Sequence, residues 1–255
     1  MILDLFDAHA HLAAPDFAGD LQEVLARAGA AGVRGIVVVG ETLEEAERIL
    51  DLSTRHPLVK PAAGLYPTIL DPGAAEAIAT FIRRHAAQLV AVGEVGLDHW
   101  VVKEEGGWKT QEEILARFVS VSSELDLPLN VHSRSAGGHT IAFLRERGAR
   151  RVLMHAFDGK ASTALEGIRA GYCFSIPPSV VRSAQKQKLV RQVPLEYLLL
   201  ETDSPVLGPD PALRNEPQNV RIACQAVADL KGLSPEEVAR VTTENARRLF
   251  PRAFA

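Results

Sequence analysis

Leu198-Leu199-Leu200-Glu201-Thr202-Asp203-Ser204-Pro205 is the stretch on which the fold turns. Its leucines are apolar at consecutive positions, as in a strand buried on both faces of a parallel sheet, and a strand is expected at 197–201. A carboxylate, Asp203, stands just beyond it. The same arrangement recurs toward the N-terminus. His155 follows an expected strand at 151–154, His132 ends one at 127–132, Glu94 follows one at 90–93, and His9 and His11 follow one at 3–8. Further apolar runs at 35–39, 60–65 and 172–175 bring the expected strands to eight. Helical stripes separate them, such as Leu21, Val24, Leu25 and Ala28, or Ile114, Leu115, Phe118, Val121 and Leu125.

Alternating strands and helices imply a parallel sheet wrapped by helices. An open sheet gathers its functional groups near one switch point, whereas these come from strands one, four, five, six and eight. Only a closed ring makes strand eight a neighbour of strand one. The expected fold is α/β, a (β/α)8 TIM barrel, with chemistry at the carboxyl ends of its strands. Two additional C-terminal helices are expected at 217–230 and 235–249, the second capped by Ser234. The 255 residues suit one barrel of roughly 250 residues. Without a repeat or linker, a single domain over 1–255 is the reading. A capping-box pattern places a helix start at Thr110, with Glu113 three residues on. That leaves 99–109 as a long, mobile connection, and 207–216, rich in Gly and Pro, as another.

Imidazoles and carboxylates are the ligands of hydrolytic divalent ions. His9 and His11, two apart on a strand, point the same way and can grip one cation. His132 and His155 end strands of their own. Glu94, between Gly93 and Val95, can bridge two cations with its two oxygens. Asp203 can hold an ion and also take a proton from water, which makes Asp203 and Glu94 the expected catalytic carboxylates.

The ordered set of motifs resembles the TatD family of metal-dependent deoxyribonucleases, within the amidohydrolase-like barrels. It comprises His-Ala-His at 9–11, Gly-Glu-Val-Gly-Leu-Asp at 93–98, Val-His-Ser-Arg at 131–134, His-Ala-Phe-Asp-Gly at 155–159 and Glu-Thr-Asp-Ser-Pro at 201–205. Arg-Asn-Glu-Pro at 214–217 and Thr-Glu-Asn-Ala at 243–246 belong to it as well. The stretch 174–179 with Gln-Lys-Gln-Lys at 185–188 is similar to one subgroup, shared by archaeal-like and eukaryotic members. The resemblance runs from 6 to 250. It implies a phosphodiesterase with two divalent metal ions per subunit, acting as a 3′ to 5′ exonuclease on DNA or RNA. His9, His11, Glu94 and Asp203 would surround one ion, and Glu94, His132 and His155 the other. Related barrels bridge their ions with a carboxylated lysine; Glu94 stands there instead. The ions would be Zn, Mg, Mn or Fe.

Arg134 is the expected phosphate contact, Asp203 the general base, and Asp158 either an acceptor for a ligand imidazole or a cap. Tyr66, in Gly-Leu-Tyr-Pro where many TatD proteins have His, and His99, where an aromatic residue is common, complete the expected substrate-binding residues. His56, His85 and His139 are not expected to bind metal. A net charge of -4 argues against sequence-blind coating of duplex nucleic acid and suggests single-stranded ends as substrate; ions within the site would supply positive charge locally. A small phosphoester, ester or amide is the competing substrate, and a noncatalytic metal-binding protein the third reading. Cys173 and Cys224 are too few for a disulfide framework. Nothing reads as a leader or membrane span, so a cytoplasmic protein with no membrane association and no obligate protein partner is expected.

Overall fold

Short apolar runs separated by amphipathic helices fold as a ring in the computed structural model, which describes residues 3–255. The strands are β1 (Leu5–Ala10), β2 (Val33–Val38), β3 (Val59–Ala63), β4 (Ala91–Gly96), β5 (Leu129–His132), β6 (Val152–Met154), β7 (Cys173–Ile176) and β8 (Leu198–Leu200). Each pairs in parallel with the next, in sequence order. The ring is drawn together where the end of β1 meets the segment after β8. There the Asp203 N–H donates to the His9 carbonyl (2.9 Å) and the His11 N–H to the Ser204 carbonyl (2.8 Å). Buried Asp7 fastens the same seam, accepting from the Thr202 N–H (2.8 Å) and the Thr202 hydroxyl (2.6 Å). This is the expected (β/α)8 barrel.

The helices are α1 (Leu21–Ala30), α2 (Leu43–Arg55), α3 (Pro72–Arg84), α4 (Glu105–Leu125), α5 (Gly137–Glu146), α6 (Ala161–Arg169), α7 (Ala184–Gln192), α8 (Val220–Lys231) and α9 (Pro235–Leu249). Their apolar stripes, for example Val24, Leu25 and Ala28 of α1, pack on Ile36, Val38, Val92, Leu129 and Val131 of the strands. A second, smaller core draws Phe6, Val37, Ala62, Ala91, Leu153, Cys173 and Leu199 from the strands and only the end of α9 with the residues after it. It fills the barrel lumen. Phe6 lies near the start of β1 and its ring stacks on Phe254 (4.8 Å) and Phe250 (6.5 Å), so the C-terminal segment stoppers the amino end of the barrel. The polar groups collect at the opposite end.

Two local expectations are corrected. α4 begins at Glu105, five residues before Thr110, whose hydroxyl donates within the helix to the Gly106 carbonyl (3.2 Å) and caps nothing. The cause lies in Trp108, which donates its indole N–H to the Val102 carbonyl (2.8 Å) and stacks on His99 (4.3 Å). Gly107 serves close approach there, since a Cβ would stand 2.5 Å from Val102 Cγ1. The connection after β4 is correspondingly shorter than 99–109. Toward the C-terminus, residues Pro217–Asn219 form a 3-10 turn ahead of α8. Ser234 does cap α9, accepting from the Glu237 N–H at 3.1 Å. Cys173 and Cys224 are buried free thiols. Among the described residues, no helix is long and apolar enough to cross a membrane.

Candidate metal centre

β1 carries His9 in its last turn of pleat and delivers His11 one residue beyond its end, so the two imidazoles arrive together with their Nε2 atoms 3.1 Å apart. Glu94 comes from within β4 rather than after it, and Asp203 from three residues past β8. Glu94 Oε2 lies 3.6 Å from His9 Nε2 and 3.4 Å from His11 Nε2. Asp203 Oδ1 lies 3.4 and 3.3 Å from the same atoms. A tetrahedral ion with ligand bonds of about 2.0–2.2 Å has ligand–ligand edges of roughly 3.3–3.6 Å. His9, His11 and Asp203 form a trio with spacings near such edges, and Glu94 Oε2 approaches the same two imidazoles at a similar distance. Glu94 Oε2 is moreover buried with no hydrogen-bond partner, an arrangement that a cation satisfies and that a structural carboxylate avoids.

The other oxygen of Glu94 faces the opposite way. Oε1 lies 2.7 Å from His132 Nδ1 and 2.8 Å from His155 Nε2, and these two nitrogens are 3.3 Å apart. The 2.7–2.8 Å contacts are hydrogen-bond lengths, tighter than the edges of the first group. One carboxylate is thus shared between two clusters of imidazoles, and His9 and His155 stack face to face at 3.8 Å between them.

Two of the imidazoles hold an acceptor on the other nitrogen by a hydrogen bond. His9 Nδ1 meets Asn130 Oδ1 at 2.9 Å, while the Asn130 amide donates to the Ala8 carbonyl and so fixes its own orientation. His132 Nε2 meets Asp98 Oδ2 at 3.0 Å, and the N–H groups of Trp100 and Val101 hold Asp98 by its other oxygen. His11 Nδ1 is 3.5 Å from Glu41, and His155 Nδ1 is 3.8 Å from Glu201. Asn130 and Asp98 thereby select the tautomer that leaves the inward nitrogen of His9 and His132 a lone pair for a metal, whereas His155 Nδ1 is buried without a hydrogen-bond partner.

The charge field is strong. Burial opposes a proton on His9, but Asp203 and Glu94 outweigh it and raise its pKa to about 10; at His132, Asp98 and Glu94 do the same, to about 9. Burial and the neighbouring His9 lower His155 to about 4. Burial also opposes ionisation of Glu94 and Asp203, yet the imidazoles hold both carboxyls below their ordinary range. Glu201, buried and satisfied by the Ser175 hydroxyl (2.6 Å) and the Ala156 N–H (2.8 Å), is raised to about 8 by burial. Asp203 sits at φ +54 and Ala156 at +42, conformations that cost a non-glycine residue energy and that cluster at functional sites.

This assembly opens into a cavity of about 370 Å3 lined by Tyr66, His132, Arg134, His155, Lys186 and Asp203, among others. A larger groove of about 690 Å3 between the β1–α1 loop and α2 contains none of the candidate ligands. Arg134 is exposed, has no carboxylate partner among the described residues, and lies with Cζ 5.2 Å over the Trp100 ring. The Tyr66 ring meets His132 edge-on at 5.2 Å, and burial with the nearby carboxylates keeps its phenol protonated. His99 does not line the cavity; it packs on Trp108 and donates its N–H to the Arg134 carbonyl (3.0 Å). Asp158 accepts from the Ser135 N–H (3.0 Å) and braces the rim, and Glu201 takes the place beside His155 instead. His139 pairs with Glu112 and His85 with Gln88, both outside the centre.

The family model for TatD related DNase matches residues 6–251. The chain belongs to the TatD family. Human deoxyribonuclease TATDN3 is 48% identical to it, over 97% of this chain and 95% of that protein. The Bacillus subtilis metal-dependent hydrolase YabD, an uncharacterized protein, is 36% identical over 96% of this chain and 98% of its own. The crystal structure of the Escherichia coli TatD homolog YJJV superposes with a TM-score of 0.90 at 28% identity, covering 98% of this chain and 99% of that one.

Within this TatD barrel, the six side chains expected as ligands lie within contact of one another, and Arg134 and Tyr66 line the adjoining cavity. Asn130, Asp98, Glu201, Glu41 and Lys186 were not among the expected site residues. Asn130 carried one signal, a polar residue within an apolar strand, Leu129-Asn130-Val131.

Proposed function

We propose that this TatD-type metal-dependent hydrolase is a phosphodiesterase that removes nucleotides from single-stranded ends of DNA or RNA with 3′ to 5′ polarity. The observation that carries the reading is the shared carboxylate: Glu94 turns one oxygen to His9 and His11 and the other to His132 and His155. His9, His11, Glu94 and Asp203 would hold one divalent ion, and Glu94, His132 and His155 a second. The imidazole-rich donors suit Zn, Mn or Fe, and phosphoryl transfer also runs with Mg. Paired ions, when bound, polarise a phosphoryl oxygen, acidify water and stabilise the leaving oxygen.

The chain's own groups do the rest. Asp203 faces the imidazoles through Oδ1 and lines the cavity, so its carboxylate can take the proton from the attacking water. Asn130 and Asp98 keep His9 and His132 in the tautomer that ligation requires. Arg134, without a carboxylate partner, offers its planar donors to a phosphate, and Tyr66, held protonated, offers one more. A small phosphoester remains the second reading because a cavity of about 370 Å3 admits little more than one nucleotide.

The deciding experiment is hydrolysis of 3′-labelled and 5′-labelled single-stranded DNA with Mg, Mn or Zn, beside Glu94→Ala and Asp203→Ala. Stepwise release from the 3′ end, lost in both variants, is the expected result. Cleavage of simple phosphomonoesters, esters or amides with no action on oligonucleotides would replace the nuclease reading with the small-substrate one.

A further inference from the structure

α7 is capped by Ser183, whose hydroxyl accepts from the backbone N–H of Lys186 (3.3 Å). This first turn is pinned to the loop after β6: Gln185 donates to the Gly159 carbonyl at 2.6 Å and Lys186 Nζ to the Ala156 carbonyl at 3.0 Å, next to His155. Lys186 is 8% exposed, while Lys188 on the same helix is in solvent. Leu189 and Val190 supply the buried apolar face of α7, so packing alone does not call for a lysine at 186.

An ammonium carries three protons. One is used on a neutral carbonyl, and no carboxylate among the described residues lies within ion-pair distance of Nζ. Glu201, Asp203 and Asp158 act on the ammonium only from beyond that distance, and a buried cation without a direct ion pair is unfavourable. The open side of Lys186 is the cavity that it lines together with His132, His155, Asp203 and Arg134. The other acidic group on that wall, Asp158, is engaged by Ser135.

We infer that Lys186 supplies the buried cationic contact for an anionic phosphoryl oxygen of the substrate, so that the cavity selects phosphodiesters over neutral esters and amides. The inference rests on that cavity being the hydrolytic site. Lys186 and Arg134 then act from two elements, α7 and the loop after β5. Lys186 is the pre-positioned one, held by Ala156 before substrate arrives; Arg134 is exposed.

The test is calorimetric titration of inorganic phosphate into metal-loaded wild type, K186M and K186R, with metal content measured in each. Tenfold or weaker phosphate binding in K186M, partial recovery in K186R and unchanged metal content are expected. A second measurement needs no variant: in the wild type, phosphate should slow acetylation of Lys186 by acetic anhydride relative to Lys188, read by mass spectrometry. Phosphate affinity equal in K186M and wild type would overturn the inference, as would acetylation of Lys186 indifferent to phosphate. Neither readout needs turnover. Cleavage of oligonucleotides with phosphate binding independent of Lys186 sinks this inference alone; Lys186-dependent phosphate binding without oligonucleotide cleavage sinks only the nuclease reading.

Discussion

At the scale of single residues, the proposed metal centre depends on what holds the outward nitrogen of an imidazole. Asn130 illustrates this. Its carbonyl oxygen holds His9 Nδ1 and its amide is locked on Ala8, so the ring cannot exchange its two faces. Asn130→Ala is expected to weaken metal binding about 10–100-fold, the usual loss for an outer partner of a ligand. Competition against a chromophoric chelator measures it, and an unchanged affinity would show that His9 is oriented by something else. The candidate ligands stand out in the sequence because each is a polar group interrupting or ending an apolar run. Their partners do not. Glu41, Asp98, Asn130 and Glu201 reach the imidazoles through space from different strands and loops, and no period in the sequence marks such pairs. Lys186 has no signal of its own within the subgroup motif at 185–188, because burial of one lysine and exposure of the next but one is a property of where α7 docks.

At the scale of elements, β4 and β5 fix the shared carboxylate against His132. Gly96 makes their junction possible: its φ is +153, and a Cβ there would stand 2.0 Å from the His132 carbonyl oxygen. Gly96→Ala is expected to cost at least ~1–3 kcal/mol from backbone strain alone, with further loss from the displaced strand and reduced metal content. Urea unfolding with metal analysis would check both; wild-type stability with full metal content would contradict the assignment. Strand order and closure were readable from the distribution of His9, Glu94, His132, His155 and Asp203 along the chain. The start of α4 was not. Gly106 and Gly107 carry the composition of a loop, and only the contact of Trp108 with Val102 and His99 makes that segment the first turn of a helix.

Across the whole molecule, the centre is a dense knot of opposite charges whose protonation is linked to stability. His9 titrates at about 10 and His132 at about 9, because Asp203, Glu94 and Asp98 outweigh burial. Both lie above the unfolded value of about 6.5. Their contribution is therefore complete below about pH 6.5 and is lost as the pH rises through about 9 and 10. After chelation, the melting temperature should fall progressively between pH 7 and 10. The metal-loaded protein should fall less, since ions replace the protons. A flat profile for the chelated protein would contradict these charge states. The seam between Asp7 and Thr202 has a bearing on biosynthesis. These partners are 195 positions apart, so at about 5–20 residues per second a ribosome needs roughly 10–40 s to deliver the second after the first. Throughout that interval one edge of β1 waits uncovered, a template for pairing with other chains, and the nascent protein is exposed to misassociation until its last strand emerges.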